Sequence, residues 1–168
     1  MVLKNFDKAQ QEVQQWILDF VEKPNPLLND WPPCPYARNA RLKDKVDLRA
    51  GIQNPLVDTE LVEMGRFDVL GYIYDADQFT ADEFNKLVRK ANQDFLKSRD
   101  MIALADHPDD YESVNGVCMN QGTYAIMFLQ KLSELNHFAK LLSPKGFYDS
   151  WHEEYLQVLF EGRQDPRV

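Results

Sequence analysis

Apolar residues recur at three- and four-residue spacing in Phe6, Ala9, Val13, Trp16, Ile17, Phe20 and Val21, which is the stripe of an amphipathic helix. Asn5 or Asp7 can cap its start, and Pro24 and Pro26 stop it, so a first helix is predicted over residues 1–22. The longest stripe is Phe84, Leu87, Val88, Ala91, Phe95 and Leu96, opened by a capping box from Thr80 to Glu83. Strand patterns lie on either side of it. Phe67 to Tyr74 is rich in β-branched and aromatic residues, and Met101 to Ala105 is a short apolar run. Lys45 to Ile52 alternates at Val46, Leu48 and Ala50, a weaker strand ended by Gly51, Asn54 and Pro55, and Asp58 to Met64 reads as a helical turn. A strand, a helix and another strand predict a crossover with parallel strands. Tyr124 to Leu129 reads as a strand rather than the start of a continuous helix, because Ala125 to Leu129 has no polar face. Ser133 would then cap a helix ending at Leu142. Phe147, Trp151, Tyr155, Leu156, Leu159 and Phe160 predict a last helix over 147–161, with a frayed tail from Gln164.

This order predicts the α+β class: one domain spanning 1–168, with a Pro-rich loop at 23–37 and an α/β core at 45–142. The expected sandwich has a roughly four-stranded, mostly antiparallel sheet with helices packed on one face, ferredoxin-like or a permutation of it. Such a fold says little about function.

Composition narrows the classes. The chain of 168 residues can bury a proper core, and no apolar run approaches the ~20 residues needed to cross a bilayer. Met1 to Asp7 lacks the basic and apolar regions of a signal peptide, and the chain has two cysteines, which predicts a cytoplasmic protein with reduced thiols. A net charge of −8 disfavours binding to nucleic acid or to an anionic membrane. The charge is uneven: Arg38 to Arg49 carries a net +3, leaving −11 on the remainder. Such a basic island could hold a small anion, a carboxylate or a phosphate.

That island adjoins the least ordinary string in the chain, Trp31-Pro32-Pro33-Cys34-Pro35-Tyr36-Ala37-Arg38. Pro35 suits the first turn of a helix and would leave Cys34 at its N-cap, where the helix dipole lowers a thiol pKa. Arg38 and Arg41 would add positive potential and clamp an anion. The plain reading is that Cys34 is a small buried hydrophobe under a stiff loop. His107 stands at a strand end among acids, a candidate general base oriented by Asp106 or Asp109, or else a turn histidine. Asn120-Gln121-Gly122-Thr123-Tyr124 offers amide donors and acceptors beside a glycine.

Two resemblances follow from these motifs. His107-Pro108-Asp109-Asp110 resembles the His-Pro-Asp-Asp motif of zinc-dependent N-acetylglucosaminyl deacetylases. In that family the motif closes the first strand and a later histidine pair completes the site. Here only His137 and His152 remain, fifteen residues apart, so no metal is expected. Cys34-Pro35-Tyr36-Ala37, His107-Pro108, and Asn120 ahead of Tyr124 follow the order seen in a bacterial family, domain of unknown function 1415, over about Trp16 to Leu142. Pro33, Tyr36 and Gln121 replace that family's leucine, phenylalanine and arginine. The resemblance implies that Cys34, His107, Asn120 and Tyr124 gather at one site, and it brings no activity with it.

Three function classes remain, of which the sequence favours the first. One is a small enzyme acting on an anionic metabolite, with Cys34, His107 and Asp109 as candidate catalytic residues and Tyr36, Arg38, Arg41, Asn120 and Tyr124 as candidate ligand-binding residues. The second is a non-catalytic small-molecule binder using the same pocket. The third is an interaction or homo-oligomerising module using the aromatic C-terminal helix. No cofactor follows from the sequence.

Overall fold

The computed structural model describes residues 3–168, so Met1 and Val2 of the expected first segment lie outside the described residues. Helix α1, Phe6–Trp16, starts at Asn5, whose side chain accepts from the Lys8 N–H, and continues as one wider turn through Ile17–Val21. The short helix α2, Ala37–Leu42, follows the Pro-rich loop, and strand β1, Val46–Ala50, comes next. Helix α3 is Pro55–Asp58, capped by Asn54, where the sequence pointed to a turn at 58–64. Strand β2, Val69–Asp75, leads to helix α4, Ala81–Ala91, whose capping box of Thr80 and Glu83 is formed as expected. Strand β3, Met101–Asp106, is followed by a small hairpin of β4, Ser113–Val114, and β5, Val117–Cys118. Strand β6, Tyr124–Lys131, runs into helix α5, Leu132–Leu142, and helix α6, Glu153–Leu159, ends the fold.

The four-stranded sheet has the order β1-β2-β6-β3. β2 and β3 are each antiparallel to β6, hence parallel to one another with β6 between them. That split β-α-β unit is the central element of a ferredoxin-like sheet. Here the strand beside β2 is β1, which precedes the unit in the chain and lies parallel to β2. The other edge is β3. There the side-chain amide of Asn92 donates to the Ala103 carbonyl at 3.0 Å and accepts from the Ala103 N–H at 2.7 Å.

Helices cover both faces of the sheet, a correction to the expected single covered face. Five consecutive residues of β2, Leu70–Tyr74, are buried, so alternate side chains on each side need a cover. Leu70, Tyr72 and Tyr74 pack with Phe84, Val88 and Ala91 of α4. On the opposite face Leu48, Ile73 and Ile126 pack with Ala9, Val13 and Ile17 of α1. Tyr74 is fully buried, and its ring lies where a Cβ on Gly51 would stand, 2.1 Å from its nearest carbon. No side chain larger than hydrogen fits at Gly51 without moving that ring.

Three expected boundaries shift for local reasons. Ser133 does not cap α5. The cap comes from Asp100, whose carboxylate accepts from the Ser133 N–H at 2.9 Å and whose carbonyl accepts from the Leu132 N–H at 3.0 Å. The last helix spans 153–159 alone, because Phe147 to Trp151 form turns after Gly146, which takes a positive φ of 84°. The tail is tied down: the Arg167 guanidinium reaches Glu153 at 2.6 Å and Asp165 at 2.6 Å.

Candidate functional site

Helix α1 covers β1, β2 and β6 on its face of the sheet but leaves β3 uncovered there. The side chains of Ile102 and Leu104 on β3 therefore face a cavity of about 590 Å³. Its near rim is aromatic: Trp16 stacks on Phe20 with centroids 6.0 Å apart and on Phe128 of β6 at 6.3 Å. Its far walls come from α5, through Leu135 and Phe138, and from the C-terminal segment, through Tyr148, Trp151, Tyr155 and Leu159. Tyr36 closes one side by stacking on Phe138 at 4.0 Å. A largely apolar hollow with a few polar groups is the usual form of a small-molecule site.

Two polar groups face this cavity from different places. One is acidic, with Asp106 at the end of β3, Asp110 and Glu112. Burial and the neighbouring Asp110 and Asp106 charges push the Glu112 carboxyl up to about 7, against a lowering from the Tyr155 hydroxyl, which donates to it at 3.2 Å. Burial also raises Asp106. The other group is Tyr148, Cys34 and Arg163. Burial drives the Tyr148 hydroxyl up to about 12 despite the nearby Arg163 charge. Trp151 stands between the two groups, its ring 5.7 Å from that of Tyr148 and 5.5 Å from that of Tyr155.

Of the residues picked out from the sequence, Cys34 and Tyr36 line the cavity, while Arg38, Arg41, His107, Asp109, Asn120 and Tyr124 do not. Cys34 lies two residues before the N-cap of α2, which is Tyr36. Burial raises its thiol pKa and outweighs the lowering by backbone N–H groups of Tyr36 and Ala37. The resting group is therefore a thiol rather than a thiolate. Arg38 is exposed. Arg41 makes a two-pronged ion pair with Glu22, at 2.8 and 2.7 Å, which holds its guanidinium above the ordinary value and occupies its fork. Two of the island's five cations are thus paired, Arg41 with Glu22 and Arg49 with Asp47 at 2.9 Å, and Arg38 and Arg41 lie off the cavity.

His107 is 1% exposed, with its ring against Phe84. Its Nδ1 accepts from the Asp109 N–H at 3.1 Å, which leaves the proton on Nε2. Nε2 donates to the carbonyls of Phe79 at 2.9 Å and Ala76 at 3.0 Å. Both ring nitrogens are committed to backbone. Asn120 is equally occupied. Its amide nitrogen donates to Asp106 at 2.9 Å, Asp110 carbonyl at 2.9 Å and His107 carbonyl at 3.2 Å, and its oxygen accepts from the Glu112 N–H at 2.7 Å. Asp109 is exposed. Tyr124 donates to Glu12 of α1 at 2.5 Å. His107 and Asn120 are therefore neighbours in one loop brace, which does not itself line the cavity but holds Asp106, Asp110 and Glu112 at its wall. Cys34 and Cys118 are both free.

Asp110, Glu112 and Arg163 were not picked out as site residues from the sequence, while Asp106 was named only to orient His107 and Tyr155 only in the aromatic stripe of the last helix. Asp106 and Asp110 were legible as polar residues beyond a strand end, but nothing local signals that Glu112 and Tyr155 meet across 43 positions. Among the described residues no three of His, Cys, Asp or Glu are placed to share a metal ion. No protein-family model, curated protein or solved structure matches the chain.

Proposed function

We propose that this protein is a non-catalytic small-molecule binder, whose ligand occupies the cavity between β3, α5 and the C-terminal segment. The observation that carries this reading is the cavity itself: about 590 Å³, walled by Trp16, Phe20, Phe128, Phe138, Trp151 and Tyr155. Apolar surface left unfilled forfeits both dispersion contacts and the gain from excluding water, and a ligand with an apolar body recovers both. Binding is favoured over nucleophilic catalysis because Cys34 is held as a thiol and because His107, the base proposed for it, has both ring nitrogens on backbone groups.

The test is a titration with N-phenyl-1-naphthylamine, a neutral dye that fluoresces in apolar surroundings, on the native protein and on Leu104→Trp. One saturable site is expected in the native protein. Leu104→Trp, which fills the hollow from β3, should weaken it at least about tenfold without lowering the unfolding midpoint. A folded native protein that leaves the dye dark, or a variant that binds it equally well, would overturn the reading.

A further inference from the structure

An ion taken out of water is ordinarily paired in a folded protein, because leaving it bare is costly. Arg163 is half-buried, and no carboxylate among the described residues is paired with it. Its Nε is buried with no hydrogen-bond partner. Its terminal nitrogens reach only the carbonyls of Leu159 at 3.4 Å and Leu135 at 3.5 Å, both at the long limit of a hydrogen bond. The guanidinium lies 5.0 Å from the centroid of the Phe160 ring and lines the cavity. Its pKa is lowered by desolvation, and the sole opposing charge effect is from Tyr148. The carboxylates of this region are engaged elsewhere: Asp165 with Arg167 at 2.6 Å, Glu161 with Arg89 at 3.3 Å, and Glu134 with Lys131 at 3.9 Å.

We infer that Arg163 anchors the carboxylate of an amphipathic ligand whose hydrocarbon or aryl body fills the adjoining aromatic cavity. The inference rests on the reading of that cavity as a ligand site. Nε is enclosed by protein, so a carboxylate would meet the terminal nitrogens, whose contacts to the Leu159 and Leu135 carbonyls are long enough to be exchanged for charge-assisted bonds. Arg89 and Lys131 on the same cavity are already paired with Glu161 and Glu134, and the acidic group Asp106, Asp110 and Glu112 disfavours a doubly charged head group even with Lys97 also on the lining. A monocarboxylate therefore suits the site better than a phosphate dianion. Tyr148, the electrostatic neighbour of both Arg163 and Cys34, adds a hydroxyl beside the anchor. The anion reading drawn from the basic island at 38–49 thus moves to a single arginine at the other end of the chain.

Decanoate and decanol, which share a chain and differ in the head group, test this by displacement of bound N-phenyl-1-naphthylamine. Decanoate is expected to bind the native protein at least about tenfold more tightly than decanol, as a charge-assisted pair out of water should. That ratio should fall to near one in Arg163→Met and be partly kept in Arg163→Lys. Equal affinities in the native protein, or an unchanged ratio in Arg163→Met, would overturn the anchor while leaving the cavity reading standing. Failure of the dye itself to bind overturns the cavity reading and the anchor with it.

Discussion

The two faces of the sheet are covered in different ways. On the α4 face, Tyr74, Phe79 and Phe84 interlock at centroid distances of 5.5 to 5.7 Å, and the Tyr74 hydroxyl reaches Asp58 at 2.7 Å. There α4 packs over β2, β6 and β3, and the strand it does not reach, β1, needs no apolar cover because its positions in register with Leu70 and Tyr72 are Asp47 and Arg49. On the opposite face α1 packs over three strands and stops, and the cover over β3 is assembled from α5, turns and α6. Packing of the first kind stabilises the fold. The second kind leaves a hollow whose walls are held by residues far apart in the chain. The difference teaches that the hollow proposed as a ligand site opens where an apolar strand, β3, is left without a single covering helix.

The sharpest way to break this comparison is to delete one large side chain from each face. Phe84→Ala removes a fully buried ring and should cost about 3–5 kcal/mol. Leu104→Ala only enlarges an existing cavity and should cost about 1 kcal/mol. Denaturant melts of the two variants measure this, and equal losses would mean that the β3 side is packed as tightly as the α4 side.

Acid tests the polar end of the hollow. The folded-state pKa of Glu112 is raised from 4.5 to about 7, so its protonated form is favoured by folding. Its stabilisation is complete below about pH 4.5 and is lost as pH rises through about 7. The unfolding midpoint should therefore fall between pH 5 and 7.5, by an amount on the order of 1 kcal/mol once solvent screening is allowed for. Glu112→Gln should flatten that slope in calorimetry. Asp106, also raised by burial, works in the same direction.

Thiol chemistry separates binding from catalysis on the same wall. Iodoacetamide at pH 7.5, followed by peptide mass spectrometry, should label exposed Cys118 at least about tenfold faster than Cys34. A faster Cys34 would restore the nucleophile. The smallest effect is expected at Arg38→Ala: stability within about 0.5 kcal/mol of the native protein and unchanged dye binding, because the side chain is exposed and off the cavity.

Much of the fold was legible because its elements are locally self-consistent. The α1 and α4 stripes, the capping box at Thr80 and the apolar run of β6 each state their own structure. The second covered face was less so, since whether a sheet is buried on one side or two depends on where a helix docks. The site was harder still. Cys34 and Tyr36 stood out through their unusual neighbours, and both reach the cavity. Arg41 and His107 looked free in the sequence because their partners, Glu22 and the carbonyls of Ala76 and Phe79, are brought to them only by the fold. Arg163 drew no reading from the sequence. Its lack of an ionic partner is a tertiary property, and no residue type or spacing announces it.

The amide of Asn92 on the edge strand bears on how the molecule behaves in a crowd. An exposed strand edge invites a strand from a neighbouring molecule, which is how sheets extend into aggregates. By occupying both backbone groups of Ala103 midway along β3, Asn92 stands in for one rung of that missing neighbour. A second chain would have to displace it before pairing across the middle of the strand. One side chain thus closes the middle rung of the β3 edge at the border of the cavity.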